Sequence, residues 1–356
     1  MTTLEKPPFQ LGHHRCLDGL RGIAIILVLL DHGGICGDGY GFIGVNTFFV
    51  LSGFLITSLL VSEWEQTGTI SFLKFYARRA LRLFPALFSM LAAFVIYVWF
   101  STEGKKTSED LHETLWALFY FTNWAKILEL GPSLHLAHTW SLSIEEQFYF
   151  IWPALLLFML PRNTRSSLLC WIMLGVLLSL SVRIYLLVAV SMLNPDRLAC
   201  GLDARADSLL LGCFVGILLS SGHPFLFKKH KIVGGFLWVG SVLGLLVLGH
   251  CIQARCWVYV SWLLASIFAA VLIAQLASSS GSLSHWVLEN RFLVYIGQIS
   301  YGLYIWHFPI LNILKERHLP WENLIYLASV FPVVLLSYYF IEKPCLRLKH
   351  RLQMAH

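Results

Sequence analysis

Residues 18–32 read Asp-Gly-Leu-Arg-Gly-Ile-Ala-Ile-Ile-Leu-Val-Leu-Leu-Asp-His, an apolar run with Arg21 near its start and His32 at its end. Eleven helical steps of about 100° come within roughly 20° of three full turns, so the two side chains share one stripe, about 16 Å apart along the axis. That is about half the thickness of a bilayer core. A cation and a titratable imidazole are costly in such a run, and a purely structural helix has little use for them.

The rest of the chain fits a run of this kind. Its 356 residues are 57% hydrophobic and 13% charged, with mean hydropathy +0.69. Soluble domains carry about 25% charged residues. The deficit, and apolar runs that recur to the end, predict an all-α polytopic membrane protein. The net charge of +6 sits in short loops, where it sets orientation and does not point to nucleic acid. The first run lacks a small-residue cleavage pattern and is read as a retained helix.

Spans are predicted at 19–35, 42–62, 83–100, 144–160, 167–190, 206–221, 232–250, 258–277, 298–315 and 322–341, about ten in all. The aromatic patch Leu115–Leu128 is interrupted by Asn123 and Lys126 and is taken as an extra interfacial or re-entrant segment. That choice puts Arg162, Arg165, the Lys228–Lys231 cluster and the tail from Lys343 on the same side as the N-terminus, which the positive-inside rule makes cytoplasmic. The predicted domains are a cytoplasmic arm (1–17), one transmembrane domain (18–342) and a basic cytoplasmic tail (343–356). Cys251 and Cys256 could form a disulfide in an oxidising compartment or remain free thiols. No Cys/His spacing resembles a zinc site, so no metal is expected.

Several clusters could carry chemistry. His32 can act as a general base, because an imidazole titrates near neutral pH; the alternative is a capping histidine beside a snorkelling Arg21. Asp18 precedes the pair. Arg78, Arg79 and Arg82 make a compact cationic helix face, suited either to lipid headgroups or to the phosphates of a nucleotide-bearing donor. Glu146 has capping-box spacing from Ser143, whereas Glu145 stacks with Tyr149 at i,i+4 and could orient an imidazole. Arg205 and Asp207 read as an ion pair or as the lining of a polar cleft. Ser300, Tyr304 and His307 form a polar stripe on an apolar helix, facing an internal cavity, where they either meet a ligand or tie helices together.

Taken in order, these blocks resemble the acyltransferase-3 family of integral membrane acyltransferases. The blocks are Leu17–Gly22 with the Arg21/His32 spacing, 44–55, 76–85, 140–149, 205–212 and 300–307. The resemblance implies a roughly ten-helix domain that passes an acyl group from cytoplasmic acyl-CoA, most simply acetyl-CoA, to a hydroxyl acceptor on the outer face. It also implies a saccharide acceptor, no permanently bound cofactor and a bacterial inner-membrane location. The family's essential Arg and His match Arg21 and His32, and its R-X-X-R motif matches Arg79 and Arg82. Many members add a C-terminal SGNH hydrolase-like domain, which is not expected here.

On this reading His32 deprotonates the acceptor hydroxyl while Glu145 holds its ring, and Ser300, Tyr304 and His307 line the cavity or donate to the oxyanion. The competing class is a proton-coupled transporter or flippase, since intramembrane Arg, His, Glu and Asp also mark carriers. The paired broken helices of such carriers are not evident.

Overall fold

The computed structural model describes residues 14–37, 39–101, 107–131, 135–189, 194–221, 231–251, 258–278, 283–317 and 321–347. Nearly all of these residues are helical. In chain order the helices are α1 (Arg15–His32), α2 (Tyr40–Thr67), α3 (Phe72–Ser101), α4 (Thr107–Leu118), α5 (Thr122–Ile127), α6 (Trp140–Met159), α7 (Arg165–Ala189), α8 (Pro195–Cys200) and α9 (Leu202–Ser220). They continue as α10 (Lys231–Cys251), α11 (Val258–Ser278), α12 (Leu283–Leu288), α13 (Arg291–Gln298), α14 (Ser300–Glu316) and α15 (Glu322–Ser337), which runs on into a π turn, Tyr338–Glu342.

Local chemistry sets the breaks. Gly68 ends α2 in the left-handed region, its N–H closing on the Trp64 carbonyl. Asn194 caps α8 by accepting the Asp196 N–H, with Pro195 as the first helical residue. The patch Leu115–Leu128 splits at Tyr120, whose φ is 52°, into the end of α4 and the short α5.

Among the described residues five helices are long and apolar enough to cross a membrane: Tyr40–Thr67, Phe72–Phe100, Arg165–Val188, Val260–Ser278 and Asn323–Arg347. This corrects the expectation of about ten spans. Helices do occupy the other predicted segments, but they fall short in length or composition. The α14 helix has 17 residues, and of α10 only Gly235–His250 is fully described. Helices α1, α6 and α9 are cut by charged residues, among them Arg21, Glu145 and Arg205. The charges that make these helices interesting are what disqualify them as lipid-facing rods.

The layering follows from burial. In α2, 78% of the apolar window lies inside the protein, against 22% for α7 and for the last span. Thus α2 is the central post, packed against α1, α9, α11 and α6, while α7 and α15 lie outside. Two crossings bring backbones together at glycines. A Cβ on Gly53 of α2 would sit 1.9 Å from the Leu209 carbonyl oxygen of α9, and one on Gly212 would sit 2.0 Å from the Val50 oxygen. Small residues allow such contact, which is what dispersion-driven packing in lipid requires. Gly22 of α1 and Gly297 of α13 make a second crossing of the same type.

Parts of the predicted arm (residues 1–13), the Lys228–Lys231 side chains, the Cys251–Cys256 pair and the tail beyond 347 lie outside the described residues. Cys16, Cys36, Cys170, Cys200, Cys213 and Cys345 are free thiols.

Candidate active site

The C-terminal end of α1 meets α14 through two imidazoles. His32 Nδ1 lies 2.9 Å from His307 Nε2. The ring planes differ by 6° with centroids 5.1 Å apart, close to the full N–N separation plus two ring radii. The rings therefore meet edge to edge in one plane, as an N–H···N bond requires. His307 Nδ1 is 2.6 Å from the Tyr304 carbonyl oxygen. A carbonyl only accepts, so that nitrogen carries the proton and neutral His307 presents a bare Nε2. His32 must then donate from Nδ1, which leaves its Nε2 lone pair as a base.

A third histidine, which the sequence reading did not select, completes the cluster. His138 is 3% exposed and its Nε2 lies 3.1 Å from the Ile305 carbonyl oxygen. Ile305 is four residues before Pro309, and proline lacks the N–H that would normally take that carbonyl. The helix-breaking residue thus creates the acceptor that fixes His138. Its position just before the Thr139–Ser141 segment, together with Pro309, was the available signal. The Tyr304 hydroxyl donates to the His138 carbonyl at 2.9 Å and lies 2.5 Å from Ser141 Oγ.

These groups wall a cavity of about 790 Å³, whose lining includes His32, His138, Tyr304, Phe308, Phe42 and Trp262. Cys200 also lines it, and burial pushes its thiol up to about 12, so it is a poor nucleophile at neutral pH. Lys126 and Asp196 form an ion pair at 3.1 Å in the same wall.

Roughly 16 Å along α1 from His32, judged from the helical rise, the second cluster gathers on α1, α3 and α6. Arg79 pairs with Glu146 and lies with its guanidinium carbon 3.6 Å from the centre of the Tyr149 ring. Arg82 lies within electrostatic range of both Arg21 and Arg79, with Asp18 and Glu145 nearby. Arg78 is not part of this group: one step round the helix from Arg79, it points to Glu63 of α2 at 3.3 Å. On α6, Ser141, Glu145 and Tyr149 recur every four residues, a polar stripe that leads from the histidines to the arginines.

The structure corrects several assigned roles. Glu145 accepts from Ser52 Oγ at 2.9 Å, so the group that holds the His32 ring is His307. The capping box does not form: Ser143 bonds the Thr139 carbonyl while Glu146 takes Arg79. Tyr304 and His307 have committed their protons to backbone carbonyls and cannot donate to an oxyanion. Ser300 Oγ is buried with no hydrogen-bond partner among the described residues. Arg205 and Asp207 are not partners, since Asp207 pairs with Arg183 at 2.6 Å and Arg205 reaches Asn46 Oδ1 at 2.5 Å. Sequence spacing held no metal motif, yet the ligand atoms of Cys16, His285 and Glu289 lie within 4.8 Å of one another, away from the histidine cavity.

Residues 14–342 match the family described as "Acyltransferase domain". The chain is 34% identical over 345 residues to the peptidoglycan O-acetyltransferase OatA of Listeria monocytogenes, covering 92% of this chain and 55% of the relative. It is 33% identical over 350 residues to the O-acetyltransferase OatA of Staphylococcus aureus, covering 92% and 56%. The chain therefore spans about half the length of these curated relatives. No solved structure matches it.

Proposed function

The chain belongs to this family of acyltransferase domains, and from that premise we propose that it transfers an acyl group, most simply acetyl, from acyl-CoA to a hydroxyl of a cell-envelope acceptor such as a saccharide. The observation that carries the reading is the His32–His307 pair, which leaves a lone pair on His32 Nε2 in the wall of a large cavity.

The acceptor hydroxyl gives its proton to His32 Nε2 as its oxygen attacks the thioester carbonyl carbon. The C–S bond breaks, and His32 returns the proton to the departing sulfur, yielding an ester and free CoA. While protonated, the His32 ring is held by the lone pair of His307, whose own orientation is fixed by the Tyr304 carbonyl. Arg21, Arg79 and Arg82 take the CoA phosphates, for which guanidinium groups supply planar, charge-assisted donors. The axial gap between Arg21 and His32, about 16 Å, is of the order of the pantetheine arm. Arg78 is left out of this role because it turns away from the other three arginines to Glu63 of α2.

The donor side faces the cytoplasm and the cavity faces outward in this reading, which is what a bacterial inner-membrane enzyme serving the envelope requires. The carrier alternative draws no support from membership of an acyltransferase family. The test is radiolabelled acetyl transfer from acetyl-CoA into envelope material, using membranes that contain wild type or His32→Ala. Loss of transfer with normal insertion supports the reading. Full transfer by the variant overturns it.

A further inference from the structure

Arg205, on α9, is completely buried, at 0% exposure. Its hydrogen bond goes to a neutral amide, Asn46 Oδ1. Among the described residues no carboxylate lies in ion-pair range of it: Asp207 spends its Oδ2 on Arg183 and acts on Arg205 only from farther off. Its Nε and Nη1, and Asn46 Nδ2, are buried donors with no acceptor among the described residues. Two buried arginines that share one carboxylate, with unused donors beside them, are a costly arrangement for a protein interior.

Aromatic rings cover part of the charge. The guanidinium carbon lies 4.7 Å from the Phe42 ring centre, 4.6 Å from Trp262 and 5.5 Å from Phe49. Ring faces stabilise a cation but accept little from N–H groups at its edge. Phe42 and Trp262 also stack on each other, with centroids 4.5 Å apart, and both stand in the wall of the histidine cavity. The stacked pair separates the unused donors from the space where an acceptor would sit.

We propose that Arg205 and Asn46 form a second binding site, for an anionic oxygen group, carboxylate or phosphate, carried by the hydroxyl-bearing acceptor. This rests on the reading of the cavity as the acceptor site. Binding parts the Phe42–Trp262 pair and brings the anion onto Arg205 Nη1 or Nε and Asn46 Nδ2, while a hydroxyl of the same molecule reaches His32. The acceptor class that follows is an acidic saccharide or a sugar phosphate. A neutral alcohol would leave the donors unpaired, and unpaired buried donors are a strong source of discrimination.

The experiment uses the full chain in detergent and measures its melting temperature with glucuronate, glucose 1-phosphate or glucose, and binding of acetyl-CoA on the same preparation. Glucuronate or glucose 1-phosphate at about ten times its Kd should raise the melting temperature by about 2–4 °C, with glucose inert; which of the two acts separates carboxylate from phosphate. Asn46→Asp supplies the missing carboxylate in place. It should raise the melting temperature by itself and abolish the response to the anionic sugars. This variant keeps the test decisive if Arg205→Met does not fold. Equal shifts with glucose, no shift with either anion, or an Asn46→Asp protein that still responds would overturn the proposal. Loss of the anion response alone leaves the acyl-CoA reading standing, whereas failure to bind acetyl-CoA removes the reading on which the proposal rests.

Discussion

His32 Nδ1 and His307 Nε2 lie 2.9 Å apart in a common plane, and the other nitrogen of His307 is tied to the Tyr304 carbonyl. That chain of bonds fixes one tautomer for each ring and aims the reactivity of the pair at a single atom, His32 Nε2. The orienting group is neutral, which distinguishes this pair from one in which a carboxylate holds the histidine.

Replacing His307 tests the orienting role. His307→Phe removes the acceptor for His32 Nδ1 and should lower kcat by about 10²-fold or more, within the range a misplaced base produces. His307→Gln can still offer an oxygen to His32 and should retain more activity than the Phe variant. Steady-state rates with acetyl-CoA check this, and equal activity of the two variants would remove the orienting role.

The arginine cluster should divide its effects. Arg82 has no ion pair among the described residues, so Arg82→Ala should raise KM for acetyl-CoA about 10-fold, the value of one charge-assisted contact, with a smaller change in kcat. Arg79→Ala also strands Glu146, so its melting temperature should fall as well. Arg78→Ala should leave KM near wild type, because that residue points away from the cluster to Glu63 of α2. Saturation curves and thermal melts of the three variants decide the assignment.

Cys200 lines the cavity but, with its thiol raised to about 12 by burial, is a thiolate only at strongly alkaline pH. At pH 8 the thiolate fraction is on the order of 1 in 10⁴. Iodoacetamide labelling at Cys200 should therefore be slow at pH 8 and accelerate steadily as pH rises. Cys200→Ser should transfer acyl groups within about twofold of wild type. Mass spectrometry of the labelled protein checks the first statement and turnover checks the second.

The α2–α9 crossing predicts a fold defect far from any reacting atom. Gly212→Ala places a methyl 2.0 Å from a backbone oxygen of α2, and backbone cannot yield as a flexible side chain can. The melting temperature should drop by several degrees, a change of about 1–3 kcal/mol. Detergent melts of Gly212→Ala beside Gly235→Ala, where a methyl meets open space, provide the comparison.

The helices, and the placing of Arg21 and His32 along α1, were legible in the sequence because each depends on spacing along one chain segment. Arg21 and His32 share a stripe of α1 by arithmetic alone, and Ser300, Tyr304 and His307 do so on α14. What spacing could not give is which stripe faces which. Glu145 looked like the partner of His32 because both were expected near one side of the membrane, yet α6 turns it to Ser52. The number of spans was overestimated for a related reason. A hydropathy reading rewards any apolar run, whereas α9 buries Arg205 and Asp207 between helices and α1 and α6 carry half-buried charges. His138 escaped notice because its place depends on a carbonyl released by Pro309, about 170 residues away in sequence, a contact visible only in three dimensions.

The most direct test of the account is the rate of acetyl transfer from acetyl-CoA into envelope material by membranes carrying wild type, His32→Ala or His307→Gln, with acetyl-CoA binding measured on the same purified proteins. The account predicts that all three bind acetyl-CoA, that His32→Ala transfers nothing above background, and that His307→Gln falls between. Transfer by His32→Ala at the wild-type rate would contradict it.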